Sequence, residues 1–136
     1  MKLDGFGLFV KDIDKMVCFY SKVLGFEIQY EEGDNHVYLH KDGVLFMMYT
    51  RKEFEQMTAK KYTYPKGING TFEMAFSVKD YHAVDDTFAD VVAKGAQPVM
   101  EPTTEPWGQR TCYIQDPEGN LIEIGSFNVG NYKEAE

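Results

Sequence analysis

From residue 5 the chain alternates: Phe6, Leu8 and Val10 fall on one side of a predicted strand, and Gly5, Gly7 and Phe9 on the other. The period then changes. Ile13, Met16, Val17, Tyr20, Val23 and Leu24 recur at helical spacing behind Asp12, a natural N-cap, until Gly25 stops the run. A strand is expected around Glu27 to Tyr30, then a polar turn over 31–35 and a hairpin over 36–49. The same order restarts near Thr71, with a strand over 72–78 whose core set is Phe72, Met74, Phe76 and Val78. A helix follows from about Asp80 to Lys94, closed by Gly95, then a strand near Gln97 to Met100 and a hairpin over 110–127.

The chain therefore says nearly the same thing twice. Val10-Lys11-Asp12 recurs as Val78-Lys79-Asp80, and the turn at Asp42-Gly43 recurs as Asp116-Pro117-Glu118-Gly119. Residues 1–50 form a first module, 51–70 a linker or lid with a short helix from Glu53 to Thr58, and 71–127 a second module. A polar tail, expected to be mobile, covers 128–136. A small sheet with one helix leaves its other face bare, so two modules can curve their bare faces round a shared cavity within one α+β domain.

Turn chemistry fixes which side chains reach that cavity. Asp42-Gly43 is a strong two-residue hairpin signal that pairs Lys41 with Val44, Leu39 with Phe46 and Val37 with Met48. The open face then carries His36, Tyr38, His40, Leu45, Met47 and Tyr49. In the second hairpin a type I turn pairs Ile114 with Ile122 and Cys112 with Ile124, leaving Tyr113, Gln115, Leu121 and Glu123 open. A slip of one residue would mix polar and apolar positions on each face. In the strand over 72–78, Glu73, Ala75 and Ser77 share the open side, so Glu73 and Glu123 point into one space. The alternative for either glutamate is an ordinary solvated strand residue.

Composition narrows the partners. Net charge is -8, which disfavours a nucleic-acid backbone or an anionic membrane surface and leaves a neutral or cationic small organic ligand easier to host. No apolar run approaches a membrane span, and Met1-Lys2-Leu3-Asp4 has no secretory character, so the expected location is cytoplasmic. Cys18 and Cys112 lie outside any CxxC or Cys/His cluster and read as two buried, reduced thiols.

Gly-Leu-Phe-Val-Lys-Asp over 7–12, followed by Phe19-Tyr20-Ser21-Lys22-Val23-Leu24-Gly25-Phe26, joins two phrases near the C-terminus. These are Trp107-Gly108-Gln109-Arg110 and Asp116-Pro117-Glu118-Gly119-Asn120-Leu121-Ile122-Glu123-Ile124. In this combination, over about residues 3–127, the chain resembles the vicinal oxygen chelate superfamily, the glyoxalase, bleomycin-resistance and extradiol dioxygenase group. The resemblance implies paired βαβββ modules, a half-barrel cavity and frequently a homodimer. Fold alone does not set activity.

The resemblance also implies metal ligands on the first and last strands of each module, which here are Gly5, Met47, Glu73 and Glu123. Glycine has no donor and a thioether suits Ni, Zn, Mn or Fe poorly, so half of the shell is missing. His36 could join Glu73 and Glu123 around an ion. His36 and His40 lie about 13 Å apart along a strand and cannot both bind it. His82, early in a helix, is expected to face solvent.

Two functions remain open at this level. Two carboxylates on one concave face can divide acid and base roles and move a proton beside a carbonyl, as a metal-dependent glyoxalase-like lyase or isomerase does. Charge stabilisation would then fall to Arg110, Tyr38 or Tyr113, although regular alternation turns Arg110 away. The binding reading needs less: Phe9, His36, Tyr38, Met47, Tyr49, Trp107, Arg110 and Tyr113 would surround two acids with aromatic faces, suiting a planar or cationic ligand. Plain core packing is the alternative for Tyr38 and Tyr49.

Overall fold

The computed structural model describes residues 1–135, which divide into two compact units, residues 1–65 and the residues from 66 onward. In the first, β1 (Gly5–Val10) leads to α1 (Ile13–Lys22), then β2 (His36–Lys41), β3 (Val44–Thr50) and α2 (Arg51–Thr58). The sheet order is β1-β3-β2, with β1 parallel and β2 antiparallel to β3. Asp12 caps α1 by accepting a hydrogen bond from the Lys15 amide at 3.1 Å. Ile13, Met16, Val17 and Tyr20 are buried together with Leu8, Val10, Val37, Phe46 and Met48, and the Tyr20 ring lies 5.1 Å from that of Phe46. The hairpin register is the expected one, Lys41 with Val44, Leu39 with Phe46 and Val37 with Met48.

The second unit is a complete βαβββ module: β4 (Asn69–Ser77), α3 (Tyr81–Ala93), β5 (Gln97–Thr104), β6 (Arg110–Gln115) and β7 (Asn120–Ser126), in the sheet order β4-β7-β6-β5. Asp80 repeats the capping role of Asp12, accepting from the Ala83 amide at 2.9 Å. Met74, Val84, Val91, Cys112, Ile114, Ile122 and Ile124 form its buried core. No helix among the described residues is long and apolar enough to cross a membrane.

Four expectations are corrected. No strand forms over 27–30, because the Phe26 amide turns back to Tyr20 and the Ile28 amide to Phe26, which takes these donors out of any ladder. Phe72 is 44 % exposed and not in the core: β4 slips register between Asn69 and Glu73, and the irregularity breaks the alternation there. The tail is tied down, with Asn128 accepting from the Tyr81 amide and donating to the Lys79 carbonyl, both at 3.0 Å, and Tyr132 packed edge-on to Tyr81. Cys18 is exposed, since one helical step beyond Val17 carries it off the buried stripe.

The two thiols should therefore react differently. Cys112 is fully buried, its Sγ donating to the Ile124 carbonyl at 3.4 Å, and burial pushes the thiol up to about 12. A folded-state value above the unfolded one favours the native protein below about pH 9 and loses that contribution as pH climbs toward 12. A disulfide reagent at pH 8 should label one thiol per native chain quickly and the second only in denaturant. Rapid labelling of both in the native protein would contradict the burial of Cys112.

Candidate functional site

The open face of the second sheet is set by strand register. Glu73 stands beside Leu121, Ala75 beside Glu123, and Glu123 opposite Tyr113, and directly paired residues share a face. Glu73 and Glu123 therefore lie on one side, with Met74, Ile122, Ile124 and Ile114 buried on the other. Tyr113 joins the two acids. Its hydroxyl donates to Glu123 Oε2 at 2.7 Å, and the Glu73 carboxylate lies near enough to act on the same phenol. Burial, then hydrogen bonding to Glu123 and Glu73, raises the phenol above its ordinary value of 10.0. Tyr113 thus stays a neutral donor at physiological pH and supplies no phenolate base.

The other oxygen of Glu123 is held from the loop after β5. Gln109 Nε2 donates to Glu123 Oε1 at 3.0 Å, while Gln109 Oε1 accepts from the Trp107 indole at 2.9 Å. The loop backbone is fixed independently: the Gly108 amide closes a turn on the Glu105 carbonyl at 3.0 Å, and the Tyr81 hydroxyl donates to the Gly108 carbonyl at 2.7 Å. Gly108 sits at φ +86°, where a side chain would be strained. Trp107 is 63 % exposed beside this chain of bonds. Sequence reasoning missed Gln109, whose only signal was its place in the Trp107-Gly108-Gln109-Arg110 phrase.

Arg110 is not on this face. Its parity matches Cys112 and Ile114, and its Nε donates to Asp85 of α3 at 2.7 Å, its Nη1 to Thr104 at 2.9 Å, with the guanidinium 4.8 Å from the Tyr132 ring centroid. The cation expected to assist the acids is thereby committed to the helix side. Among the described residues neither Glu73 nor Glu123 has a cationic partner.

The equivalent face of the first unit carries the remaining candidates. His36 stacks with Tyr38 and Tyr49 at 6.4 and 6.0 Å between ring centroids. The Tyr49 hydroxyl donates to Met47 Sδ at 3.8 Å. Tyr38 is 66 % exposed and so is no core residue. Phe9 lies under α2, stacked on Phe54 at 3.9 Å, and Tyr62 continues the stack at 4.9 Å. His40 lies instead at a shallow cleft of about 330 Å³ with Gly25, Glu27, Leu39, Lys41 and Asp42, where Lys41 pairs with Asp42 at 3.1 Å. His82 is exposed against the Tyr132 ring.

The metal set implied by resemblance does not fit these residues. A Cβ added at Gly5 would fall within the Leu45 backbone carbonyl, so no ligating side chain can be carried there, and the Met47 thioether already takes the Tyr49 hydroxyl. Both oxygens of Glu123 accept hydrogen bonds from protein. No group of three or more His, Cys, Asp or Glu side chains among the described residues is placed to hold an ion.

Comparison with known proteins gives a consistent frame. A family model described as the Glyoxalase/Bleomycin resistance protein/Dioxygenase superfamily matches residues 2–124. The chain is 30% identical over 127 residues to the uncharacterized protein YraH of Bacillus subtilis (strain 168), covering 91% of this chain and 97% of that one. Among solved structures, a glyoxalase/bleomycin resistance protein/dioxygenase family enzyme from Burkholderia phytofirmans PsJN superposes with TM-score 0.78 at 24% identity, over 96% of this chain and 100% of that one. A lactoylglutathione lyase from Agrobacterium tumefaciens superposes with TM-score 0.71 at 23% identity, over 91% and 92%. At these identities the two structures speak for the fold alone.

Proposed function

Because the chain belongs to the glyoxalase/bleomycin resistance/dioxygenase superfamily, we propose that it is a small-molecule-binding member without the four-ligand metal centre, its ligand a planar organic cation held on the open face of the second sheet. One observation carries this reading: Glu73 and Glu123 flank a neutral tyrosine hydroxyl, and among the described residues no cation is paired to either. Two such carboxylates favour a positive partner, and the exposed ring of Trp107 supplies aromatic surface that attracts the same charge. The reading also sets the protein in the cytoplasm as a homodimer, the latter by resemblance and open to a light-scattering mass.

Trp107 is the sole tryptophan, so ligand binding is read directly from its emission. Proflavine, a planar aromatic cation, should quench Trp107 and bind more tightly than the aromatic anion anilinonaphthalene sulfonate. Glu73→Gln and Glu123→Gln should each weaken proflavine about tenfold by removing a charge-assisted contact, with little change for the anion. Wild-type affinity for proflavine in both variants would remove the acids from the site. The enzymatic alternative, lyase or isomerase chemistry with Glu73 and Glu123 as acid and base, requires the ligand to be returned chemically altered and turnover to be lost in the same two variants.

A further inference from the structure

We infer that Gln109 is the positioning residue of this site, locking the Trp107 indole and the Glu123 carboxylate into one unit and turning the indole into a donor-free aromatic wall that selects cations over anions. The inference rests on the ligand reading above and adds what sets its selectivity. An indole N–H can only donate and a carboxylate can only accept. A residue bridging them must accept at one end and donate at the other, which a primary amide does without a change of charge. The partners of Gln109 fix its amide orientation uniquely: Oε1 toward Trp107 Nε1 at 2.9 Å and Nε2 toward Glu123 Oε1 at 3.0 Å. The indole N–H is consumed by this bond. What Trp107 offers a ligand is then its ring, whose negative face attracts a cation and has no donor with which to hold an anion.

The fold makes room for this bridge at a second position. Gly125 has no positive φ that would demand glycine, yet a Cβ there would stand 2.8 Å from Gln109 Nε2. That atom is the far end of a flexible side chain, so Gly125→Ala should displace the amide from Glu123 while β7 persists. The loop backbone does not depend on the Gln109 side chain, being held by main-chain bonds between Glu105 and both Gly108 and Gln109 and by the Tyr81 hydroxyl. Loss of the bridge should therefore free the indole without releasing the loop.

Two readouts decide. In the ligand-free protein, Gln109→Leu and Gly125→Ala should each lower the steady-state anisotropy of Trp107 emission and leave the far-UV circular dichroism of the wild type. With probes added, the ratio of proflavine to anilinonaphthalene sulfonate affinity should fall about tenfold in both variants, as expected when hydrogen bonds to an ionised group are lost and an indole donor is released. Unchanged anisotropy in both variants overturns the positioning role, and an unchanged affinity ratio overturns the selectivity role. A wild-type protein that binds neither probe overturns the ligand reading of the preceding subsection, and the anisotropy measurement then rules on Gln109 by itself.

Discussion

Gly5→His should cost about 3 kcal/mol of stability and confer no metal affinity, because the side chain it adds has nowhere to go. Gly5 stands beside Leu45 in the parallel β1–β3 pair, and the Leu45 amide donates to the Asp4 carbonyl at 3.1 Å, which draws the two backbones together. A Cβ at residue 5 collides with the Leu45 carbonyl and Cβ, that is, with backbone that cannot rotate aside. Relief requires β1 to part from β3, and with it the packing of Leu8 and Val10 on α1. Gly7→Ala is the matched control: its added Cβ would meet the Met47 Cβ at 3.4 Å, an ordinary contact, so it should be close to neutral. Thermal denaturation of both variants, with metal content measured after incubation with nickel or zinc, checks the pair. Wild-type stability for Gly5→His together with a bound ion would show that the missing ligand is one substitution away. The geometry says otherwise, since residue 5 excludes any side chain and not only a particular one.

Much of this frame was legible because the chain repeats its own instructions. Asp12 and Asp80 cap the two main helices as their spacing predicts, and both hairpins adopt the pairings dictated by their turn residues, down to Tyr113 opposite Glu123. Alternation and turns are local, so they survive in the sequence. What failed was decided by contacts that alternation does not encode. Ile28 and Tyr30 look like one face of a strand, yet the backbone around them bonds to itself and to the end of α1. The bulge that turns Phe72 outward has no marker beyond Gly70 nearby. Cys18 is apolar enough to join any helical stripe, and only its phase relative to Val17 and Tyr20 excludes it. Arg110 was legible by parity, since its place in β6 sends it to Asp85. Gln109 was not, because an uncharged amide outside a strand has no periodicity and no titration to announce it.

Asp116→Ala should destabilise the second unit by about 3 kcal/mol and disturb the site with it. Asp116 is 2 % exposed, and its carboxylate organises the turn between β6 and β7: Oδ1 accepts from the Glu118 amide at 2.9 Å and the Asn120 amide at 3.0 Å, and Oδ2 from Asn120 Nδ2 at 2.8 Å. Each hydrogen bond to a charged group contributes roughly 1.5–3 kcal/mol, and the donors stranded by alanine overlap in their cost, so the total stays below the simple sum. Asp116→Asn preserves an oxygen for the two amides and loses the Asn120 side-chain bond, so it should cost about half as much. The effect reaches the site through register. The Asp116 amide bonds the Asn120 carbonyl at 3.0 Å and starts the ladder that, three residue pairs further on, sets Tyr113 against Glu123. A slip of one residue would send Glu123 under the helix and Ile122 into its place, an arrangement that buries a carboxylate and exposes core. Denaturant unfolding of both variants, read beside proflavine quenching of Trp107, separates the two consequences: stability should fall in the order wild type, asparagine, alanine, and probe affinity should follow the same order. An alanine variant as stable as the wild type would mean that the turn is held by Pro117 and Gly119 alone, and that the carboxylate of Asp116 has no part in setting which face Glu123 occupies.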